Sequence, residues 1–221
     1  MGRGGRQCSG RLPVASRAVR VWRIPFSTNV ERVALALAHK GLEVEWVDVD
    51  PADRSEVVRV SGQELVPVLE HEGGILSDSP AILEFLEAAH PEPRLLPVDP
   101  ARRAEIRVFC DWFNRVWKRP PNVIFAEEQN SSPDAARIER LGAALSGSRD
   151  LFEDLLAGRD FLFGGLSLAD VTAFPFLKYA LLWDEGDDER FHEILRERLA
   201  LDNGYPRLAG WIRRMDELPR A

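Results

Sequence analysis

The apolar positions of the first ninety residues switch between the patterns of strands and helices. Residues 19–24 (VRVWRI) form a short, β-branched apolar run that predicts a strand, and Pro25 ends it. Residues 28–40 place apolar side chains at the 3.6-residue period of an amphipathic helix, and Gly41 supplies a C-terminal stop. Residues 43–50 (EVEWVDVD) alternate again and predict a second strand. The chain therefore opens as β-α-β.

The pattern that follows completes a mixed sheet. A short, weak helix is predicted over 53–60, and strands over 66–70 and 75–76 are joined by the hairpin turn 71–74 (HEGG). A further helix covers 79–89. The βαβ part requires a right-handed crossover and a parallel strand pair, and the hairpin adds an antiparallel edge. This order predicts an α/β thioredoxin-like domain with a four-stranded mixed sheet.

Only helical patterns follow this α/β region. Residues 91–100 carry four prolines, which cannot continue a helix, so we assign them to a linker between residues 18–90 and residues 101–221. Residues 166–183 are apolar nearly all round and predict a buried central helix that Pro175 kinks. The second domain is predicted to be an all-α helical bundle.

Charge and composition exclude several classes of protein. The net charge is −7, which disfavours a nucleic-acid surface. Residues 1–17 hold four arginines and no acid, without an apolar stretch typical of a secretory signal, so we expect a disordered basic tail on a cytoplasmic protein. No run reaches membrane-spanning length. The two cysteines, Cys8 and Cys110, form no disulfide framework, and the histidines lack metal-ligand spacing, so no metal is expected.

The first motif with chemical potential lies directly after the first strand. Thr28 and Glu31 fit a capping box, which predicts that Thr28 caps the following helix. Ser27 would then sit just outside the helix, with its hydroxyl free to donate to an anion at the positive helix end. The alternative is that Ser27 is only one of several polar residues at a helix start.

A hydroxyl in that place is able to activate a thiol. Thiolate is the nucleophile, and an ordinary thiol has a pKa of about 8.5. Lowering that pKa by about two units takes about 2.7 kcal/mol. One hydrogen bond to a charged group contributes about 1.5–3 kcal/mol, and a helix end about 0.3–1 kcal/mol more. Ser27 with the helix end behind it is sufficient on these numbers.

Two further motifs precede the last helix of the first domain. Proline at position 67 opens an apolar strand; a cis Val66–Pro67 bond would present the Val66 backbone to an extended peptide, whereas a trans proline at a sheet edge is the simpler alternative. Ser79 before Pro80 is typical of a helix N-cap followed by proline in the first turn. The same helix end would receive a carboxylate, and Asp78 would pair with an amino group.

In this order and spacing, the three motifs resemble the glutathione site of the cytosolic glutathione transferases. The resemblance runs from about residue 19 to the C-terminus and is closest to serine-type, bacterial-like members. Ser167 and Asp170 also match the Ser/Thr-x-x-Asp box that opens a buried helix in the family, and residues 205–211 resemble its closing helix. Serine rather than cysteine at position 27 disfavours thiol-exchange chemistry.

The resemblance assigns a role to each motif. The serine of the first motif would activate the thiol, the Val-Pro pair would hold the cysteinyl backbone, and the Asp-Ser pair would hold the γ-glutamyl end. A glutamine just before the Val-Pro pair would donate to the glycyl carboxylate. The glutathione-binding residues implied are Ser27, Val66, Pro67, Asp78, Ser79 and Gln63, with Ser27 as the catalytic one.

The implied activity is conjugation of glutathione to small, largely apolar electrophiles. Glutathione is then a cosubstrate with no tightly bound cofactor, and the protein is expected to be a homodimer that binds neither nucleic acid nor membrane. Glutathione-dependent cis–trans isomerisation needs the same thiolate, and a non-catalytic interaction module needs none; both stay open. The residues proposed for the electrophile pocket are Phe26, Trp112, Phe113 and Trp117, with burial in a helical core as the alternative for these aromatic side chains.

Overall fold

A four-stranded mixed sheet forms the N-terminal domain. The computed structural model describes residues 19–221, so the predicted basic tail with Cys8 lies outside the described residues. The strands are β1 (Val19–Arg23), β2 (Val44–Asp48), β3 (Val68–His71) and β4 (Gly74–Ser77). They are ordered β2-β1-β3-β4, with β1 parallel to β2 and antiparallel to β3, and β3 antiparallel to β4. The predicted thioredoxin-like fold class is confirmed.

Three helices flank this sheet: α1 (Thr28–His39), α2 (Ser55–Ser61) and α3 (Ser79–Ala89). Helix α1 provides the crossover between β1 and β2, and almost every side chain from its second to its third turn is buried. It packs against α3 on one side and against the C-terminal domain on the other. One helix thus belongs to the cores of both domains.

The C-terminal domain is helical. Its helices are α4 (Pro100–Trp112), α5 (Arg119–Glu128), α6 (Ala135–Leu155), α7 (Leu168–Leu177), α8 (Arg190–Leu199) and α9 (Pro206–Asp216). A π-helical segment, Phe113–Trp117, joins α4 to α5, and a 3₁₀ turn, Lys178–Ala180, follows α7. The central helix predicted for 166–183 is therefore shorter: it is α7, buried along its whole length with Pro175 inside it, plus that tighter turn. Between residues 19 and 221, no helix is long and apolar enough to cross a membrane.

The start of α7 is held by one fully buried carboxylate. Asp170 accepts hydrogen bonds from the Ser167 backbone N–H (3.0 Å) and hydroxyl (2.8 Å), so the predicted Ser-x-x-Asp box forms. Its other oxygen accepts from the Leu162 N–H and from the indole N–H of Trp211, both at 2.9 Å. Burial raises the pKa of this carboxyl. The box therefore also fastens α9 and the loop before α7 to the buried helix.

We expect Asp170→Ala to lower the free energy of unfolding by at least about 3 kcal/mol, because four buried donors lose their acceptor at about 1–3 kcal/mol each. Ser167→Ala is the matched control, and loss of that cap should cost about 0.5–2 kcal/mol. Urea titrations followed by circular dichroism measure both. An Asp170→Ala loss no larger than that of Ser167→Ala would contradict this account.

Candidate functional site

A cleft of about 680 Å³ opens between the two domains, and we call it the interdomain cleft. The N-terminal domain contributes loop residues and the first turns of two helices, and the C-terminal domain contributes one face of α4 and the π-helical segment. The lining residues used below are Asn29, Arg32, Gln63, Val66, Pro67, Asp78, Ser79, Asp111, Asn114, Arg115 and Lys118. The structure thus brings together five of the six residues expected to bind glutathione; Ser27 is the exception.

The Val66–Pro67 pair lines the cleft and lies just before β3 in the chain. The peptide bond between the two residues is cis. The β3–β4 ladder begins at the Val68–Ser77 pair, so the main chain of Val66 lies outside it. Whether the Val66 backbone holds a peptide, as the sequence predicts, stays a prediction that the cis bond and the position at the cleft allow.

Ser79 is not the N-cap of α3, which corrects the sequence prediction. The helix begins at Ser79, and its N-cap residue is Asp78, whose side chain makes no capping hydrogen bond and whose φ is +75°. Backbone conformations of this kind are costly for a residue with a side chain and concentrate at functional sites. The Ser79 hydroxyl turns instead to α1: it donates to Asn29 Oδ1 and accepts from Arg32 Nη1, both at 3.3 Å.

Arg32 is the buried cation of the cleft, with only 1% of its surface exposed. Its Nε donates to the Thr172 carbonyl (2.8 Å), and its Nη1 donates to Asn29 Oδ1 (3.2 Å), Asn114 Oδ1 (2.9 Å) and the Ser79 hydroxyl. Its Nη2 is buried and has no hydrogen-bond partner within residues 19–221. Burial lowers the pKa of the guanidinium to about 9, so it remains a cation at neutral pH.

Lys118 is a second basic side chain of the cleft, on the wall that the helical domain contributes. Its Nζ donates to Asn29 Oδ1 (3.2 Å) and lies 4.6 Å from the ring centroid of Phe176. No acid of the described chain forms an ion pair with it, whereas the neighbouring Arg115 is paired with Asp111 at 2.6 Å. Burial, with a smaller contribution from the Arg32 charge, lowers the pKa of Lys118 to about 7.

Hydrogen-bond donors outnumber acceptors around Asn29. Its Oδ1 accepts from Arg32, Ser79 and Lys118, three donors for an oxygen with two lone pairs. Because Asn29 and Asn114 both turn their oxygens towards Arg32, their amino groups are left as further donors. A cleft with surplus donors, the Arg32 cation and a second basic side chain is suited to binding an anion.

Ser27, not Thr28, caps α1, so the predicted capping box is wrong. Ser27 has an extended backbone (φ −63°, ψ 112°) and its hydroxyl accepts from the Val30 N–H at 3.4 Å. Glu31 does not reach back to the cap; its carboxylate pairs instead with Lys178 and Arg220, each at 2.9 Å. A hydroxyl that accepts still has its proton to donate, so capping leaves Ser27 able to bind an anion.

Ser27 does not line the interdomain cleft. It borders a second cavity of about 400 Å³, the Ser27 cavity, which is also lined by Phe26, Trp46, Glu31 and Arg220. The first turn of α1 separates the two spaces, with Asn29 on the cleft side and Ser27 on the other. Helix α1 therefore presents Asn29 and Arg32 to the cleft beside the Asp-Ser pair, and neither belongs to the binding set that the sequence predicts.

The aromatic residues expected in an electrophile pocket lie mostly in the core. Phe113 is fully buried and stacks on Trp117 with 4.4 Å between ring centroids, and Trp112 is half-buried against Phe109. None of these three lines either cavity; only Phe26 does. The helical periodicity of this segment directs its apolar face inward, so the expected aromatic wall is absent from the cleft.

The opposite face of the same segment forms the wall that the cleft does have. Its members fall at the i, i+3, i+4, i+7 spacing of one helix face: Asp111, Asn114, Arg115 and Lys118. This spacing can be seen in the sequence, but a polar helix face is more often exposed to solvent than part of a functional site. Nothing in the sequence indicated that Arg32 is buried at the site, because an arginine among apolar helix positions usually extends its guanidinium to solvent.

Gln63 is held by its own loop. Its Nε2 donates to the Ser61 hydroxyl (3.0 Å) and the Leu65 carbonyl (2.8 Å), and its Oε1 accepts from the Leu65 N–H (2.6 Å). Both amide protons are therefore engaged, which does not support the expected donation to a glycyl carboxylate. The side chain instead shapes the loop that leads into the Val66–Pro67 pair.

Comparisons with known proteins agree with this architecture. The N-terminal domain family of the glutathione S-transferases matches residues 22–94, and the C-terminal domain family matches residues 135–214. Glutathione transferase omega-1 of Caenorhabditis elegans is 27% identical over 205 residues, covering 92% of this chain and 79% of that protein. FtsZ-localized protein A of Caulobacter vibrioides is 29% identical over 175 residues, covering 76% and 66%.

A solved structure shows the same likeness in three dimensions. The glutathione S-transferase of Methylobacterium radiotolerans, crystallised with glutathione sulfonate, superposes with a TM-score of 0.69 at 29% identity, covering 92% of this chain and 96% of that one. With a thioredoxin-like domain, a helical domain and the Val-cis-Pro and Asp-Ser motifs at their junction, the chain belongs to the cytosolic glutathione S-transferase family. It is a glutathione transferase.

We expect Asp78→Ala and Ser79→Ala each to weaken glutathione binding about tenfold to a hundredfold, because each removes a charge-assisted hydrogen bond worth about 1.5–3 kcal/mol. Asp188→Ala, an exposed acid outside the cleft, is the control and should bind glutathione as the parent does. Isothermal titration with glutathione measures all three variants. Unchanged affinity in both cleft variants would remove the Asp-Ser pair from the binding site.

Proposed function

We propose that this protein binds glutathione along the interdomain cleft and conjugates its thiol to a small electrophile. The observation that carries this proposal is the meeting, in one cleft, of the Val66 main chain with Asp78 and Ser79 and a surplus of hydrogen-bond donors. Each of these groups matches one part of the tripeptide.

The γ-glutamyl end is a zwitterion and needs partners of both signs. Asp78 is the acid that would pair with the α-amino group. The α-carboxylate would be received at Ser79, with the buried Arg32 cation behind that hydroxyl; the Nη2 of Arg32 has no hydrogen-bond partner among residues 19–221. Because a buried donor without an acceptor is costly, a carboxylate at this place repays part of the cost of burying Arg32.

The cysteinyl residue would pair its backbone with Val66 and extend its side chain towards the first turn of α1. There the N–H groups of the helix end favour a thiolate over a thiol, and Ser27 is the hydroxyl that would donate to the sulfur. The thiolate sulfur then forms a bond to the electrophilic carbon of the substrate. The leaving group departs with the bonding electrons, and the thiol proton passes to water.

We expect Ser27→Ala to raise the thiol pKa of bound glutathione by about one to two units and to lower turnover by about one to two powers of ten. Both follow from the loss of one hydrogen bond to a charged group, about 1.5–3 kcal/mol. Thiolate absorbance of the bound tripeptide against pH gives the pKa directly. Glutathione affinity should change little, because the rest of the tripeptide is held elsewhere.

Asn29→Ala is the informative comparison for that measurement, since Asn29 faces the cleft and Ser27 faces the adjoining cavity. A pKa that moves in Asn29→Ala and stays fixed in Ser27→Ala would transfer the activating role to Asn29. The cap of α1 would then be the whole role of Ser27.

The functional unit is proposed to be a cytoplasmic homodimer. Among residues 19–221, four large apolar side chains are more than half exposed, an arrangement that a partner surface would relieve: Leu65, Val98, Val108 and Val116. We expect light scattering at micromolar concentration to report twice the 24.9 kDa chain mass. A single species at 24.9 kDa would contradict the dimer.

A further inference from the structure

Lys118 of the helical domain reaches the group of side chains that meets at Asn29. Its Nζ lies 3.2 Å from Asn29 Oδ1, the same oxygen to which Arg32 Nη1 (3.2 Å) and the Ser79 hydroxyl (3.3 Å) donate. Helix α1, the start of α3 and the helical domain thus each bring one donor to a single atom. An amide oxygen has two lone pairs, so it cannot satisfy three donors at once.

A carboxylate would relieve this shortage of acceptors, because its two oxygens offer about four lone pairs. The Nη2 of Arg32 is buried without a hydrogen-bond partner among residues 19–221, and Asn29 Oδ1 is the one acceptor that these residues give to Lys118 Nζ. Both donors are basic groups, and charge-assisted hydrogen bonds are stronger than those to an amide. The space beside Asn29 Oδ1 therefore suits a carboxylate better than a neutral group.

Glutathione carries two carboxylates, and distance decides between them. In the proposed position the α-carboxylate lies at Ser79 and the backbone passes Val66, so the glycyl carboxylate lies beyond Val66. The two ends of an extended tripeptide are about 10 Å apart. Lys118 Nζ, by contrast, shares an acceptor oxygen with the Ser79 hydroxyl. This shared contact favours the α-carboxylate as the partner of Lys118.

We propose that Lys118 is a glutathione-binding residue whose ammonium group, together with the guanidinium of Arg32, receives the α-carboxylate of the γ-glutamyl end. The proposal rests on the proposed function, which puts that end of the tripeptide at Ser79. The carboxylate replaces Asn29 Oδ1 as the acceptor of Lys118, so the bound tripeptide joins the helical domain to the N-terminal domain. No bond is made or broken at Lys118, which holds and orients the ligand.

The surroundings of Lys118 make this interaction depend on pH. The charged side chains near it belong to α1, to the turn before α3 and to its own wall: Arg32, Asp78, Arg115 and Asp111. Helix α7 contributes the Phe176 ring. Burial lowers the pKa of Lys118 to about 7, and a bound carboxylate raises that pKa again. Because the protonated form binds, affinity is highest below pH 7 and falls as the pH rises above 7.

Three ligands without a free thiol test which carboxylate Lys118 binds. They are S-methylglutathione, its glycine amide, and 4-aminobutanoyl-S-methylcysteinylglycine, which keeps the amino group and lacks the α-carboxylate. We expect Lys118→Met to weaken the first two about tenfold to a hundredfold, as for one charge-assisted hydrogen bond. The ligand that lacks the α-carboxylate should bind within about twofold of its affinity for the parent protein. Isothermal titration at pH 6.5 measures all three.

Two further variants serve as controls for this comparison. Lys118→Arg keeps the charge and should retain the preference for the α-carboxylate. Arg119→Met removes the adjacent arginine, which is exposed and lies outside the interdomain cleft, and should bind all three ligands as the parent does. An equal loss for the three ligands in Lys118→Met would overturn the inference. A loss that disappears with the glycine amide would also overturn it, because Lys118 would then bind the glycyl carboxylate.

Proton uptake gives a second readout that a merely structural role would not move. At pH 8 most of Lys118 is neutral in the free protein, and it gains a proton when the carboxylate binds. A tenfold to hundredfold preference for the protonated form equals a pKa shift of about one to two units. The parent should therefore take up about 0.4–0.8 proton more than Lys118→Arg, whose guanidinium stays charged. Binding heats of S-methylglutathione in buffers of different ionisation enthalpy measure this difference, and equal uptake would overturn the inference.

The same titrations separate this inference from the proposed function. Failure of the parent protein to bind S-methylglutathione would overturn both together. Binding to the parent that Lys118→Met leaves unchanged would overturn the inference alone, because the cleft would still hold the tripeptide through its other groups.

Discussion

The buried guanidinium of Arg32 is the constraint on which the arrangement of this protein depends. A charge with 1% of its surface exposed is tolerated only where hydrogen bonds replace water, and Arg32 finds those acceptors on α7, on the π-helical segment and at the start of α3. The same contacts therefore fix both domains relative to α1. Among residues 19–221, the one guanidinium nitrogen of Arg32 without an acceptor is the buried Nη2.

Helix α1 packs in the cores of both domains. Its N-terminal half borders two cavities, and its first turn lies between them. Ser27 stands on one side and Asn29 on the other, two residues apart. A thiol delivered along the cleft would approach this turn from the Asn29 side, which makes the competition between the two residues the central mechanistic question.

The segment from α4 through the π-helical turn has two opposite faces that contact different parts of the protein. One face supplies Phe113 and Trp117 to the core of the helical domain, and the other supplies Asn114 and Lys118 to the cleft. Core packing and the lining of the cleft are thus assigned to different positions of the same stretch of helix.

The sequence by itself determined the fold class, because a period-two pattern at the strands, a period-3.6 pattern at the helices and prolines at 91–100 leave few alternatives. It also determined the Val66–Pro67 and Asp78–Ser79 motifs, since both are contiguous and local. Whether Ser27 or Thr28 caps α1, whether Ser79 caps α3, and which face of the 111–118 segment meets the cleft were decided only by the tertiary structure. These depend on contacts between residues far apart in the chain, such as Arg32 with Thr172, whose geometry no local pattern encodes.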